Sequence, residues 1–179
     1  MKRYIAFLRG VNVSGKNKVT MAELKKGFEK LDFREVNTYL NSGNVIFCCD
    51  KDDTEQITKQ IEIMIKNKFY LDITVVVILR EELKEILRNA PQWWGNENKE
   101  IYDNIIFLIP PATFDEVYSE IGEPKEELEK IKAYKEAIFW SFSRKDYQKT
   151  NWWSKTANAK IGRKLTIRTA NTVRKLVSM

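Results

Sequence analysis

A loop rich in glycine, lysine and asparagine carries the residue types most suited to chemistry. Residues 10–17 read Gly-Val-Asn-Val-Ser-Gly-Lys-Asn and follow an apolar run at 4–8 that predicts a strand. In the pattern G-x-x-x-x-G-K-[ST], which this segment nearly matches, backbone amides hold phosphates and the lysine reaches the outer ones. Asn17 replaces the hydroxyl that would hold Mg²⁺, and the next helix is predicted near Thr20 instead of at Lys16. The loop therefore predicts a general anion-binding segment and not a true P-loop.

A second polar segment, residues 41–44, is predicted to lie beside this loop. Its sequence Asn-Ser-Gly-Asn separates two β-type runs and is typical of a hairpin turn. In a split β-α-β arrangement the first two strands run toward the same end, so the loop and the hairpin emerge together. Eight side chains without a carboxylate among them are the predicted ligand-binding residues: Arg9, Asn12, Lys16, Asn17, Lys18, Asn41, Ser42 and Asn44. The set suits an anionic, phosphate-bearing or nucleotide ligand, while turn geometry alone also favours Asn and Gly.

The 179-residue chain contains no histidine, which excludes the commonest catalytic pairs. No Ser-His-Asp or Cys-His nucleophile and no His-ligated zinc can form. Cys48 and Cys49 are adjacent, so they predict neither a disulfide framework nor a four-thiolate metal site, and no metal site is expected. An enzyme of phosphoryl or nucleotidyl transfer is a further alternative, for which topology brings only Lys16 and Asp72 to the same end. The sequence identifies no cofactor.

The C-terminal part of the chain is strongly basic. The whole chain has 31 Lys+Arg against 25 Asp+Glu, and residues 144–179 hold ten of the basic residues with a single acid, Asp146. Such a tail favours an anionic partner, although a solvated helix face accounts for the same charges. The alternative function is therefore nucleic-acid binding through six of these side chains: Lys155, Lys160, Arg163, Lys164, Arg168 and Arg174.

Two tryptophan pairs extend this alternative. Trp93-Trp94 and Trp152-Trp153 offer rings on which bases stack, and lysines lie near the second pair in the sequence. Packing of the rings against the rest of the fold is the interpretation that we favour, because aromatic side chains dominate protein cores and their rims.

Periodicity predicts the order β-α-β-β-α-β twice along the chain. In the first half, strands are predicted at 4–8, 36–40, 45–49 and 73–79, with helices after Thr20 and at 54–68. In the second half, strands are predicted at 105–109, 128–134, 137–142 and 165–168, with helices at 113–121, 154–164 and 171–177. A short helix at 81–89 links the halves. The pattern predicts an α+β protein of two tandem ferredoxin-like subdomains, residues 1–80 and 81–179, with an extra C-terminal helix.

Several strands are apolar at consecutive positions, which is typical of sheets that are buried on both faces. Residues 75–79 and 105–109 show this most clearly. The open sheet faces are therefore expected to be covered by each other or by a second copy of the chain, so a homodimer is possible. No apolar run is long enough to predict a signal peptide or a membrane span, and free cysteines indicate a reducing compartment, so the expected location is the cytoplasm.

The segments around the loop and the hairpin carry a recognisable pattern. Residues 8–24 match L-R-G-x-N-V-x-G-K-N-K-V-x-M-A-E-L, and residues 38–47 match T-Y-x-x-S-G-N-V-I-F. With these motifs the chain resembles the bacterial domain-of-unknown-function 1697 family. The resemblance extends more loosely to residues 154–156 and 171–176, although residues 168–172 read R-T-A-N-T where the family usually has R-N-W-N-T. It implies a small cytoplasmic α+β protein with tandem ferredoxin-like subdomains, and it implies no established activity.

Overall fold

Two four-stranded antiparallel sheets and seven α-helices form a mixed α+β fold in the part of the chain that the structure describes. The structure, a computed structural model, describes residues 1–179 with the exception of the side chain of Ala159. The chain divides into two compact units, Met1–Lys84 with Leu176–Met179 and Glu85–Lys175. None of the described helices is long and apolar enough to cross a membrane.

The sheet of the first unit has the strand order β2-β3-β1-β4. Its elements are β1 (Lys2–Leu8), α1 (Met21–Glu29), β2 (Arg34–Tyr39), β3 (Asn44–Cys49), α2 (Thr54–Phe69) and β4 (Val75–Leu79). Strand β1 is antiparallel to both of its neighbours, with Phe7 opposite Asn44 on β3 and Leu8 opposite Val75 on β4. The C-terminal end of β1 therefore lies beside the N-terminal ends of β3 and β4, so the loop after β1 and the hairpin before β3 emerge at the same end.

Helices α1 and α2 cover one face of this sheet. Tyr4 and Phe47 from the strands pack in one core with Phe28 from α1 and with Ile57 and Ile61 from α2. The rings of Phe28 and Phe47 meet with centroids 5.4 Å apart. Ile57 and Ile61 are both fully buried at the i, i+4 spacing of one helical face. Burial of each such side chain stabilises the fold by about 1.5–3 kcal/mol.

Strand residues between the core positions point to the opposite face of the sheet. They are also buried, as the consecutive apolar positions predict. On β1, Ile5 and Phe7 are both 0% exposed. In the second unit Ile105 is 0% exposed and Phe107 is 3% exposed, although they lie on the other face of their strand from the core residue Ile106. On β1 and on the corresponding strand of the second unit, these apolar side chains are therefore buried on both faces of the sheet.

The sheet of the second unit has the order β6-β7-β5-β8, with β5 antiparallel to both of its neighbours. From the end of the first unit onward, the elements are α3 (Arg80–Arg88), β5 (Ile101–Leu108), α4 (Phe114–Ile121), β6 (Glu129–Tyr134), β7 (Ala137–Ser143), a 3-10 turn (Tyr147–Lys149), α5 (Asn151–Thr156), α6 (Ala159–Gly162), β8 (Leu165–Thr169) and α7 (Ala170–Ser178). Strand β5 begins at Ile101 instead of at residue 105, because the ladder with β7 continues to Ile101 opposite Ser143.

Two short helices, α5 and α6, stand where the sequence predicts one continuous helix over residues 154–164, so that prediction is wrong. Helix α5 ends at Thr156 and α6 begins at Ala159. Asn158, between them, is the N-cap of α6, and its side-chain oxygen accepts a hydrogen bond from the backbone N–H of Lys160 at 2.9 Å. Asparagine competes with the helical backbone through such bonds, which favours a cap over a helix interior.

Helix α1 begins at the residue that its capping sequence predicts. The hydroxyl oxygen of Thr20 accepts a hydrogen bond from the backbone N–H of Glu23 at 3.3 Å. The Glu23 carboxylate pairs with the ammonium groups of Lys26 at 2.8 Å and Lys68 at 2.7 Å. Hydrogen bonds from Lys26 and Lys68 lower the pKa of Glu23 to about 2. The cap fixes the point at which the loop after β1 ends.

Candidate functional site

The loop after β1 contains a miniature hairpin. The backbone N–H of Lys16 donates to the carbonyl of Val13 at 2.9 Å, and the two residues form an antiparallel bridge. Between them Ser14 and Gly15 have φ of 49° and 75°, the positive values that a type I′ turn needs at both central positions. The N–H of Asn12 donates to the carbonyl of Asn17 at 3.1 Å and extends the ladder by one step. The tip therefore has a defined backbone conformation.

The side chain of Asn12 joins this loop to the hairpin at residues 41–44. Its oxygen accepts a hydrogen bond from Val19 N–H at 2.9 Å, and its nitrogen donates to the carbonyls of Val19 and Asn41, each at 2.8 Å. Asn17 donates to the carbonyl of Gly10 at 3.0 Å. The two segments that we expect to be neighbours are thus in contact, and two of the eight candidate side chains hold the loop in shape.

The hairpin packs closely against the end of β1. The N–H of Leu8 donates to the carbonyl of Gly43 at 2.8 Å. Gly43 has φ of +74°, and a Cβ there would lie 2.6 Å from the Cβ of Leu8, so both conformation and space require glycine. Asn44 is fully buried and donates to the carbonyl of Tyr39 at 2.9 Å and to the hydroxyl of Ser42 at 3.0 Å. Asn44 therefore closes the hairpin from inside.

Two cations lie exposed on this framework. Lys16 and Lys18 form no ion pair within the described part of the chain, and residues 9–22 contain no Asp or Glu. Asn41 and Ser42 are exposed on the adjacent hairpin. Arg9 is half-buried, and its backbone N–H donates to the carbonyl of Thr74 at 2.9 Å. The surface is positively charged and has defined backbone geometry, which are the properties that anion binding needs.

The geometry departs from a nucleotide-hydrolysing P-loop in two ways. Helix α1 begins at Met21, so no helix N-terminus follows Lys16 directly, and the sheet is antiparallel instead of parallel. Among the described side chains, no ion pair joins Lys16 to Asp72, the pair on which the phosphoryl-transfer alternative rests. The part of the chain that the structure describes also contains no group of three or more His, Cys, Asp or Glu residues placed to hold a metal ion.

The six C-terminal basic residues do not form one accessible surface. Arg168 is 9% exposed, and its guanidinium donates to the hydroxyl of Thr166 at 3.0 Å and to the carbonyl of Ile167 at 2.9 Å. Burial lowers the pKa of Arg168 to about 10. The expectation that Arg168 faces nucleic acid is wrong, because Arg168 lies opposite Ile105 in the ladder of β8 and β5 and its side chain is buried.

Most of the other basic side chains in this set already have partners. Lys155 donates to the carbonyl of Ile121 at 2.6 Å. Lys164 and Lys160 approach the Glu120 carboxylate at 2.6 and 3.7 Å, and the hydrogen bond from Lys164 holds the pKa of Glu120 below its usual value. The remaining two are exposed: Arg163, and Arg174, whose guanidinium lies 5.5 Å from the ring centre of Trp94.

Two of the tryptophans proposed for stacking belong to the core. Trp94 is 4% exposed and donates from its indole to the carbonyl of Asn104 at 2.7 Å. Trp152 is fully buried and donates to the carbonyl of Gly122 at 3.1 Å. Trp153 differs, because 42% of it is exposed.

Glu129 is a buried carboxylate that the sequence did not single out. It is 2% exposed and accepts hydrogen bonds from the indole of Trp140 at 3.1 Å and from the backbone N–H of Asn151 at 2.6 Å and Trp152 at 3.2 Å. It thereby fixes the start of α5 to strand β6. The acidic residues that precede Glu129 in the sequence are typical of a solvent-exposed segment, and Glu129 looks like one of them. Only its pairing opposite Phe142 in the ladder of β6 and β7 shows that its side chain faces inward.

The fold and the site define a histidine-free α+β protein of two antiparallel-sheet units with a basic, structured loop at one sheet end. Residues 1–139 match the family model described as protein of unknown function DUF1697. Because the match spans more than half of the chain, the protein belongs to the DUF1697 family. The C-terminal segments at 154–156 and 171–176 lie outside the matched residues.

Two solved structures are similar to this chain to very different degrees. A conserved bacterial protein of Streptococcus pneumoniae, SP0830, is 30% identical, with a TM-score of 0.83 over 99% of this chain and 97% of the other. An unknown protein from Galdieria sulphuraria is 8% identical, with a TM-score of 0.28 over 94% of this chain and 96% of the other. No curated protein sequence matches the chain. The first similarity extends the shared fold beyond the residues of the family match.

Proposed function

We propose that this protein binds a small phosphate-bearing ligand, such as a nucleotide, at the surface formed by residues 9–18 and 41–44. The observation that carries the proposal is a loop fixed by Asn12 that presents two exposed lysines, Lys16 and Lys18, which form no ion pair with any described residue. Lysine ammonium groups without a competing carboxylate bind phosphate as point charges. Asn41 and Ser42 contribute polar groups from the hairpin, and Asn12, Asn17 and Asn44 maintain the shape.

The loop backbone supports the same ligand class. The sign of φ changes repeatedly along the loop, with positive values at Gly10, Asn12, Ser14, Gly15 and Asn17. Alternating backbone conformations of this kind occur in loops whose N–H groups bind anions, which supports the proposal. Binding is favoured over group transfer, because the chain has no histidine and no described carboxylate pairs with the exposed lysines.

We also propose that each unit is a ferredoxin-like subdomain, with residues 1–80 and 81–179 as their approximate extents, and that the protein works in the cytoplasm. The equivalent strand orders, β2-β3-β1-β4 and β6-β7-β5-β8, support the first proposal. Two free cysteines, Cys48 and Cys49, support the second, because a reducing compartment keeps thiols free.

A thermal-unfolding screen with ADP, inorganic phosphate and no ligand tests the binding site. Ligand at about 100 times its dissociation constant stabilises the folded protein by about 2.7 kcal/mol, which raises the melting temperature by several degrees. The double variant Lys16→Ala/Lys18→Ala is expected to keep the unliganded melting temperature and to lose most of the ligand-induced shift, since both side chains are exposed.

The matched control removes the same charge elsewhere in the first unit. Lys30 and Lys66 are exposed and form no ion pair among the described residues, so Lys30→Ala/Lys66→Ala is expected to keep the full ligand-induced shift. A shift that persists in the Lys16/Lys18 double variant, or that both double variants lose equally, contradicts the assignment of the site.

A further inference from the structure

Four aromatic side chains of the second unit form a row of touching rings, the aromatic platform: Tyr102, Phe142, Trp153 and Tyr147. Ring centroids lie 5.6 Å apart between Tyr102 and Phe142, 5.6 Å between Phe142 and Trp153, and 4.7 Å between Trp153 and Tyr147. These distances are those of packed aromatic pairs. The rings thus form one surface that continues from β5 across β7 to α5.

Two members of the platform, Trp153 and Tyr102, are open to solvent. Trp153 is 42% exposed and Tyr102 is 38% exposed, whereas Phe142 between them is 2% exposed. The backbone N–H of Trp153 donates to the hydroxyl of Thr150 at 3.3 Å, which is itself fixed by a bond to the carbonyl of Tyr147 at 2.7 Å. These bonds cap the start of α5 and fix the backbone from which the exposed indole projects.

Cations flank the exposed rings. The guanidinium carbon of Arg144 lies 3.9 Å from the ring centre of Tyr102, and its Nε donates to the carbonyl of Ile101 at 3.4 Å. Lys145 is the next residue, and Lys149 follows in the 3-10 turn. The ammonium group of Lys125 donates to the carbonyl of Lys149 at 2.6 Å, which adds a fourth positive charge. Asp146 pairs with Lys149 at 2.8 Å, and the exposed acids Glu126 and Glu127 follow Lys125 in the sequence.

We propose that the aromatic platform binds single-stranded nucleic acid, with bases stacked on Trp153 and on the Arg144–Tyr102 pair. Proteins that bind single strands combine aromatic stacking faces with cations that follow the phosphate backbone, and arginine planes also stack on bases. Lys125, Lys145 and Lys149 would supply the phosphate contacts. The exposed rings and the Arg144 guanidinium stacked on Tyr102 favour a nucleic-acid strand over an apolar protein segment. None of the six basic residues that the sequence suggested belongs to this surface.

The test uses the full-length protein and a fluorescein-labelled dT12 oligonucleotide. Fluorescence anisotropy is expected to show binding at low salt, and the intrinsic tryptophan emission is expected to decrease as bases cover Trp153. Trp153→Leu keeps an apolar contact with Phe142 and removes the stacking ring, so affinity is expected to fall about 5- to 100-fold. Trp153→Phe retains a ring and is expected to give an intermediate affinity, which separates loss of stacking from loss of folding.

Lys145→Gln tests the phosphate contacts of the platform, because Lys145 is exposed and forms no ion pair among the described residues. Each phosphate contact on a single strand contributes about 0.7 to the slope of log affinity against log salt, so this variant is expected to make the slope shallower by about that amount. The matched control is Tyr70→Leu, which removes a 90% exposed ring in the first unit and is expected to leave the affinity unchanged.

Three results would overturn the proposal. The first is the absence of dT12 binding at low salt, and the second is a Trp153→Leu variant that binds like the wild type. The third is a concentration-dependent dimer that Trp153→Leu dissociates while dT12 has no effect, which would assign the platform to self-association.

Discussion

Replacement of Glu129 with alanine is expected to destabilise the second unit severely. The Glu129 carboxylate accepts hydrogen bonds from two donors that are themselves buried, the indole of Trp140 at 3.1 Å and the backbone N–H of Trp152 at 3.2 Å. Two further backbone donors, Lys125 at 3.1 Å and Asn151 at 2.6 Å, are partly accessible. The substitution leaves the two buried donors without an acceptor, whereas water reaches the other two.

The expected loss follows from those two buried donors. Each buried donor without a partner costs about 1–3 kcal/mol, so Glu129→Ala is expected to lower the free energy of unfolding by about 2–6 kcal/mol. A domain of this kind is stable by about 5–15 kcal/mol, so the loss is a large fraction of the total. Glu129→Gln keeps the shape and one acceptor oxygen and turns an NH₂ group toward one donor. Glu129→Gln is therefore expected to lower the free energy of unfolding by about 1–3 kcal/mol.

Urea unfolding followed by tryptophan fluorescence isolates this effect. All five tryptophans lie within Glu85–Lys175, so their emission reports the second unit. The control, Glu127→Ala, removes an exposed acid two positions away and is expected to change stability by less than about 0.5 kcal/mol. If Glu129→Ala and Glu127→Ala unfold at the same urea concentration, the structural role assigned to the Glu129 carboxylate is wrong.

Two other predictions concern the first unit. Gly43→Ala is expected to lower the free energy of unfolding by more than about 2 kcal/mol, because the new Cβ would lie 2.6 Å from a neighbouring side chain. Gly15 has open space around it, so Gly15→Ala is expected to lower the same free energy by about 1 kcal/mol. Equal losses of stability in urea titrations followed by circular dichroism would contradict this prediction. The pKa of Glu23 is lowered from 4.5 to about 2, so its ion pairs stabilise the fold above pH 4.5 and that contribution disappears as the pH falls toward 2. Glu23→Gln is expected to reduce the loss of melting temperature between those two pH values, and an unchanged loss would refute the role of these ion pairs.

Most of the strands could be predicted from local sequence, and so could the position of the loop beside the hairpin. Apolar runs marked β1, β3, β5 and β7, because burial on both faces leaves these strands few polar positions. The Asn-Ser-Gly-Asn turn and the split β-α-β order placed residues 41–44 beside the loop, and Asn12 is indeed bonded to Asn41. Thr20 marked the start of α1, because a cap depends on residues within one helical turn.

The predictions that failed depended on burial and on long-range partners. A basic residue near the chain end suggests an exposed charge, yet Arg168 lies on a strand beside the central strand of the sheet and is buried. Asn158 interrupts the predicted helix because its side chain caps the following one. Glu129 has the sequence context of a solvated acid, and its donors are contributed by residues up to 23 positions away. Such contacts exist only after the strands have paired.

Chemical-shift mapping of the ¹⁵N-labelled protein with ADP tests whether the loop and the hairpin bind phosphate. We expect saturable shifts of the backbone amides at Ser14 to Lys18 and at Asn41 and Ser42, and we expect Lys16→Ala/Lys18→Ala to weaken them. Saturable shifts confined to other parts of the chain, or no shifts at millimolar ADP, would contradict the claim that this loop and hairpin form a phosphate-binding site.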